Sequence, residues 1–157
     1  MIFKEIYEEY GKAVYRFCLS LTGSPDEAEE LMQETFYRAF LSADRFEGRS
    51  TVYTWLCQIG KNAWIKECGR RKRFCDIPSE APDTGPTPEE RSIRRDEYAR
   101  IRRAVLQLDE PYQEVFALHV FGGLPLKEIA QAHGRSESWA RVTYYRAKQK
   151  IILEANL

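Results

Sequence analysis

A proline-rich acidic stretch near the middle of the chain divides the sequence into two halves. Residues 76–90 contain four prolines and one glycine, carry five acidic and no basic side chains, and include no large aromatic residue. Such a stretch cannot bury enough apolar surface to form part of a core. We therefore predict a flexible, extended linker over 76–91, which joins a first domain at 1–75 to a second domain at 92–157.

The first half has the apolar periodicity of amphipathic helices. Apolar side chains recur at three- and four-residue steps from Phe3 to Leu21, which predicts a first helix with one buried face. Gly23 ends this helix, and Ser24 followed by Pro25 is typical of a helix N-terminus. A third helix is predicted from about residue 50 to the basic run at 70–73. No segment alternates with the period of a strand, so both small domains are predicted to be all-α.

The second half ends in a pattern typical of a helix-turn-helix. Two short helices are predicted at 126–133 and 136–153, with Gly134 free to take the positive φ of a sharp turn. Ser136 is the expected N-cap of the last helix. One stripe of that helix should face the core, and it holds Ala140, Tyr144, Ala147 and Ile151.

The adjoining outer face of the last helix has the composition of a DNA-reading surface. The N-terminal half of such a helix enters the major groove. Arginine there can pair with guanine through two hydrogen bonds, and an apolar side chain can touch the thymine methyl group. The candidate residues are Ser138, Arg141, Val142, Tyr145 and Arg146. The alternative is an amphipathic helix whose arginines are only solvated.

The distribution of charge supports binding to a polyanion, although the net charge is zero. Basic and acidic residues number 24 each, which excludes a uniformly basic nucleic-acid coat. Residues 61–75, however, hold six basic and one acidic side chain, and residues 135–157 hold five and two. Two separate basic segments predict two contacts with a nucleic acid, and solvated helix faces are the alternative interpretation.

Other classes of protein find little support in the sequence. The sequence contains only two histidines, and it shows no nucleophile–base pattern, no paired carboxylates and no phosphate-binding glycine loop. These features argue against an enzyme. We expect no metal and no cofactor, although Cys68 and Cys75 around the basic run leave a zinc or redox role open. No stretch approaches the roughly 18 apolar residues of a membrane span. The N-terminus has no signal-peptide pattern either, so we expect no membrane insertion and a cytoplasmic location.

Three segments, in this order, resemble the extracytoplasmic-function (ECF) sigma factors of bacteria. They are DEAEELMQETFYRAF, FEGRSTVYTWLCQIGKNAWI and LPLKEIAQAHGRSESWARVTYYRAKQKI. The resemblance covers nearly the whole chain, with sigma region 2 at 1–75 and sigma region 4 at 92–157. It implies a factor that binds core RNA polymerase and directs promoter-specific initiation by recognising the −10 and −35 elements.

The resemblance also implies roles for individual residues. The surface for the β′ clamp helices of polymerase would include Leu31, Gln33, Glu34, Phe36 and Arg38. The −10 element would be contacted by Phe46, Tyr53, Trp55, Lys61, Asn62, Lys66, Arg70 and Arg71, although Trp55 could equally belong to the core. The −35 readers would be the five outer-face residues of the last helix.

Further expected partners are the β flap of polymerase, promoter DNA and an anti-sigma factor. The alternative function is a stand-alone helix-turn-helix regulator. Such a regulator would need a sensor or dimer surface in residues 1–75, where neither a ligand pocket nor a heptad pattern is evident.

Overall fold

A computed structural model describes residues 3–71 and 88–157, with the side chains of 88–93 excluded. Within these ranges all regular structure is helical, which confirms the all-α prediction. A short 3-10 helix at Ala43–Arg45 joins the second and third helices. The α-helices are α1 (Phe3–Thr22), α2 (Pro25–Leu41), α3 (Val52–Arg71), α4 (Pro88–Leu106), α5 (Tyr112–Val120), α6 (Leu126–Ala132) and α7 (Glu137–Ala155).

The structure describes only the end of the predicted linker, because residues 76–87 lie outside the described residues. The structure corrects its C-terminal boundary, since α4 begins at Pro88 and residues 88–91 are therefore helical. Proline suits the first turn of a helix because its missing N–H would have no partner there.

The N-terminal domain is a bundle of α1, α2 and α3. Ser24 caps α2 as predicted, with its hydroxyl oxygen accepting a hydrogen bond from the Glu27 amide at 3.4 Å. Gly60 of α3 lies where a Cβ would be 3.1 Å from the Thr35 hydroxyl oxygen and 3.4 Å from the Phe17 ring. Glycine at this position therefore lets α3 approach both α1 and α2 closely.

The C-terminal domain contains the predicted helix-turn-helix, formed by α6 and α7. Gly134 has φ +65° in the turn, and the Ser136 hydroxyl accepts a hydrogen bond from the Trp139 amide at 3.1 Å. The predicted inner stripe of α7 is buried at Ala140, Ala147 and Ile151. Tyr144, on the same stripe, is half-buried. These features confirm the turn, the cap and the buried face that the sequence predicted.

The two domains pack directly against each other. Buried side chains of α1 and α3 belong to the same apolar cluster as those of α5. Polar contacts join the domains as well, since the Arg102 guanidinium of α4 donates to the Ser20 carbonyl oxygen of α1 at 2.9 Å. The docking brings α3 of the first domain against α5 of the second.

Candidate nucleic-acid interface

The outer face of α7 gathers the residues predicted to read DNA. All five are solvent-exposed: Ser138, Arg141, Val142, Tyr145 and Arg146. Tyr145 is 63 % exposed and Val142 is 49 % exposed, so this face offers apolar as well as charged contacts. Because the opposite stripe is buried, the orientation of this face is fixed by the core. The structure thus brings the five residues together on one surface.

Arg141 is held near the N-terminus of α7 by contacts within the helix. Its guanidinium lies 3.1 Å from the Glu137 carboxylate and 3.4 Å from the Ser138 hydroxyl. Exposed pairs of this kind contribute about 0.3–0.5 kcal/mol. A DNA base edge could therefore replace these partners at low cost.

Aromatic residues predicted to contact the −10 element meet at the start of α3. The rings of Phe46 and Trp55 have centroids 4.8 Å apart and are tilted by 35°. Both residues are half-buried, so Trp55 combines packing with partial exposure. A partly open aromatic pair is a surface on which an unstacked base can lie.

The polar candidates on α3 fall into two groups. Asn62, Lys66 and Arg70 are exposed, and Arg70 lies 2.7 Å from Glu67. The hydrogen bond from Arg70 lowers the pKa of Glu67. Arg71 instead bridges α2 and α3, because its guanidinium contacts both Glu27 and Glu67. A phosphate at Arg71 would have to compete with these carboxylates.

Lys61 and Tyr53 differ most from their predicted surroundings. Lys61 was expected on an open, basic surface, but its side chain is only 2 % exposed. Its ammonium lies 3.0 Å from Glu110 and 3.1 Å from Glu114, both in the second domain. The Tyr53 hydroxyl donates to the Gly122 carbonyl oxygen at 2.9 Å. In this arrangement the second domain covers both residues.

The predicted polymerase-binding face of α2 requires a correction. Leu31 and Phe36 are buried in the core, so they support this helix and do not present a contact surface. Gln33 and Glu34 are exposed, and Arg38, which is half-buried, lies 2.7 Å from Glu34.

Two exposed aromatic residues of α2 were missed as candidates for the same surface. Tyr37 is 59 % exposed and Phe40 is 60 % exposed. The signal for Tyr37 was an aromatic residue among the polar positions of the helix. Exposed aromatic residues that lie close together are typical of protein contact sites.

A buried polar cluster between the two domains was also missed. Glu114 is buried on α5, where His133 approaches its carboxylate to 2.5 Å and Gln58 donates to it at 3.2 Å. Burial alone would raise the pKa of Glu114, but the contact with His133 and the charge of Lys61 outweigh it and lower the pKa to about 2. A single carboxylate within the apolar run of α5 was the available signal.

Among residues 3–71 and 88–157, no three or more His, Cys, Asp or Glu side chains cluster in a way that could hold a metal ion. In that part of the chain, no helix combines the length and apolar character needed to cross a membrane. Cys75 lies outside the described residues.

Comparison with protein families gives two matches in chain order. The model of Sigma-70 region 2 matches residues 6–74, and the model of Sigma-70 region 4 matches residues 98–151. The candidate surfaces on α3 and α7 both fall within these matches.

Sequence similarity to individual proteins extends over nearly the full length of the chain. The ECF RNA polymerase sigma factor SigM of Bacillus subtilis (strain 168) is 30 % identical over 156 residues, covering 96 % of this chain and 93 % of SigM. SigW of the same organism is 27 % identical, covering 82 % of this chain and 75 % of SigW.

Solved structures share the fold. One is the sigma factor RpoE in complex with the anti-sigma factor NepR from Bartonella quintana, with a TM-score of 0.61 and 21 % identity over 99 % of this chain and 97 % of that chain. Another is CnrH in complex with the cytosolic domain of CnrY, with a TM-score of 0.58 and 23 % identity over 99 % of this chain and 89 % of CnrH.

Proposed function

This chain belongs to the ECF sigma factors, which direct promoter-specific transcription initiation by RNA polymerase, and we propose that its two domains divide that work between the surfaces described above. The observation that carries this division is the order of two family matches along one chain, region 2 at 6–74 and region 4 at 98–151. The limits of the first domain, 1–75, remain our proposal, and we extend the second domain from 92–157 to 88–157 because α4 begins at Pro88.

We propose that α7 recognises the −35 element. Its exposed arginines can donate two hydrogen bonds to a guanine edge, while Val142 and Tyr145 offer apolar contact to a thymine methyl group or a sugar. The proposal is supported by the exposure of all five candidate residues on one face beside the Ser136 cap. The same domain would contact the β flap of polymerase.

We propose that the start and the exposed side of α3 contact the −10 element. The Phe46–Trp55 pair would stack an unpaired base, Asn62 would read its edge, and Lys66 and Arg70 would hold phosphates. Capturing a flipped base must offset about a few kcal/mol of lost stacking, which aromatic contacts can supply. Lys61, Tyr53 and Arg71 would join this surface once their present partners are displaced.

We propose that the exposed face of α2 binds the β′ clamp helices of core polymerase. Gln33, Glu34 and Arg38 are polar and accessible there, and the exposed rings of Tyr37 and Phe40 extend the surface. A surface that combines charges of both signs with exposed aromatic residues suits a protein partner better than DNA.

Two further assignments follow from the family. The solved structure of the sigma factor RpoE contains the anti-sigma factor NepR, and we propose that a protein of this kind restrains the present chain. We also propose a cytoplasmic location and no catalytic activity of its own. The stand-alone regulator is not favoured, because the similarity to sigma factors extends through the first domain as well as the helix-turn-helix.

Run-off transcription with purified core polymerase and a promoter library tests the function directly. We expect transcripts that start at a shared pair of −35 and −10 sequences only when both proteins are present. The free protein should bind the same duplexes weakly, since two short basic segments make few phosphate contacts. Tight, sequence-specific binding without polymerase would instead support a stand-alone regulator.

Reversing the charges on α2 should weaken binding to core polymerase. The double variant Glu34→Lys/Arg38→Glu keeps an opposite-charge pair at the same spacing, so helicity should be preserved while the pattern seen by polymerase is inverted. We expect a loss of about tenfold or more in affinity, because opposed like charges at an interface are costly.

The measurement is fluorescence-detected binding of labelled protein to core polymerase. Glu8→Lys/Lys12→Glu, at exposed positions four residues apart on α1, is the matched control, because it also exchanges an acidic and a basic residue without changing the net charge. Equal affinity of the double variant and the wild-type protein would remove this face from the polymerase contact.

A further inference from the structure

Lys61 of α3 is buried at the contact with α5. In the described structure, both side chains that neutralise its charge belong to the second domain. Lys61 is the only buried lysine or arginine side chain among the described residues, and its two ion-pair partners are Glu110 and Glu114. A buried ammonium is costly unless it is paired. The burial of Lys61 therefore depends on the docking of the second domain.

The carboxylates are themselves fixed in place. Glu114 is held by His133, Gln58 and Lys61, and it is 6 % exposed. Glu110 accepts a hydrogen bond from the Glu114 amide at 2.9 Å through one carboxylate oxygen, and its other oxygen contacts Lys61. Two negative charges thus converge on one ammonium, as two phosphate oxygens would.

The same docking engages a second residue of the proposed −10 surface. Tyr53 lies two turns before Lys61 on α3, and its hydroxyl donates to Gly122 just after α5. Both residues are therefore withdrawn from DNA by one helix and the turn that follows it. Asn62 and Lys66 stay exposed on the neighbouring side of α3, so the surface is only partly covered.

We propose that Glu110 and Glu114 form an autoinhibitory latch, in which the second domain occupies the phosphate-binding position at Lys61 and holds the −10 surface closed. This inference rests on the proposed function of Lys61 and Tyr53 in binding −10 DNA. Opening the latch returns Lys61 to solvent and frees the Tyr53 hydroxyl. A partner that separates the domains, such as core polymerase, would expose the −10 surface by doing so.

The test compares the full-length wild-type protein with the double variant Glu110→Gln/Glu114→Gln. Glutamine keeps the shape of both side chains but leaves Lys61 without a counter-charge. The control is Glu97→Gln/Glu154→Gln, which removes the same two charges at exposed positions of the second domain. Small-angle X-ray scattering gives the radius of gyration, and circular dichroism monitors folding.

Fluorescence anisotropy measures binding to the DNA probe, a labelled single strand of random sequence about 12 nucleotides long. The latch variant should have a larger radius of gyration and bind the probe about tenfold more tightly than the control variant, because the gain comes from a freed site and not from net charge. The control should keep the dimensions of the wild-type protein.

The unfavourable outcomes are distinguishable. An unchanged radius of gyration in the latch variant would overturn the latch itself. A larger radius without tighter DNA binding would overturn autoinhibition by showing that the uncovered surface is not a DNA site, so the proposed −10 role would fail as well. If the double variant does not fold, Glu110→Gln alone, which removes the more exposed of the two carboxylates, must expand the protein and tighten binding to a smaller degree; no change would overturn the proposal.

Discussion

The variant Tyr144→Ala is expected to unfold the C-terminal domain. The Tyr144 ring is stacked with Phe116, with centroids 6.1 Å apart, and meets the edge of His119 at 4.6 Å. Truncating a packed aromatic residue to alanine costs about 3–5 kcal/mol. Small domains have a free energy of unfolding of about 5 kcal/mol or less, so this loss removes most of the stability.

Thermal unfolding followed by circular dichroism measures the effect. Tyr145→Ala is the matched control, because the neighbouring ring is 63 % exposed and points away from the core. The control should keep its melting temperature but lose contact with the −35 element, whereas Tyr144→Ala should lose helicity. Equal melting temperatures for the two variants would show that the Tyr144 ring does not contribute to the core.

The variant Arg141→Ala should lose sequence preference within the −35 element while the fold is retained. Arg141 lies near the Ser136 cap, in the part of α7 best placed to reach base edges. Losing a bidentate contact to a base costs about 1–3 kcal/mol of discrimination, or roughly five- to 150-fold, at one or two base pairs. Transcription from matched promoters should fall accordingly.

Arg146→Ala is the informative comparison for Arg141→Ala. Arg146 is also exposed, but it lies more than a turn further along α7, where we expect the helix to leave the groove. We expect it to hold a phosphate, so its loss should weaken all sequences alike and reduce the salt slope by about one unit. The measurement is selection of a −35 library by holoenzyme assembled with each variant. Unchanged base preference in folded Arg141→Ala would exclude that residue from base reading.

Several local features could be predicted because they depend only on neighbouring residues. The cap at Ser24, the cap at Ser136 and the positive φ of Gly134 each follow from the chemistry of one residue and its position in the chain. The exposed face of α7 follows from helical period, since its opposite stripe is strongly apolar or small. For this reason the helix-turn-helix and its candidate DNA-reading residues could be predicted from the sequence.

Burial on α2 was harder to predict from the same periodicity. Leu31 and Phe36 entered the candidate polymerase surface through resemblance, yet they pack in the core. Phe40, near the end of the same helix, is largely exposed and contacts Phe3, with ring centroids 5.3 Å apart. The three helices of the first domain leave the end of α2 uncovered, and this depends on helix lengths and crossing positions that periodicity does not contain.

The sequence by itself determined the all-α class, the division into two helical segments and the exposed outer face of α7, because these depend on composition and on spacing along one helix. Only the tertiary structure decided that Lys61 is buried and paired with Glu110 and Glu114. Lysine at a helical position predicts a solvated charge unless a partner is near. Its partners here lie 49 and 53 positions away, across the chain segment that joins the domains. The energy of such a pair exists only after the domains dock, so no local pattern encodes it.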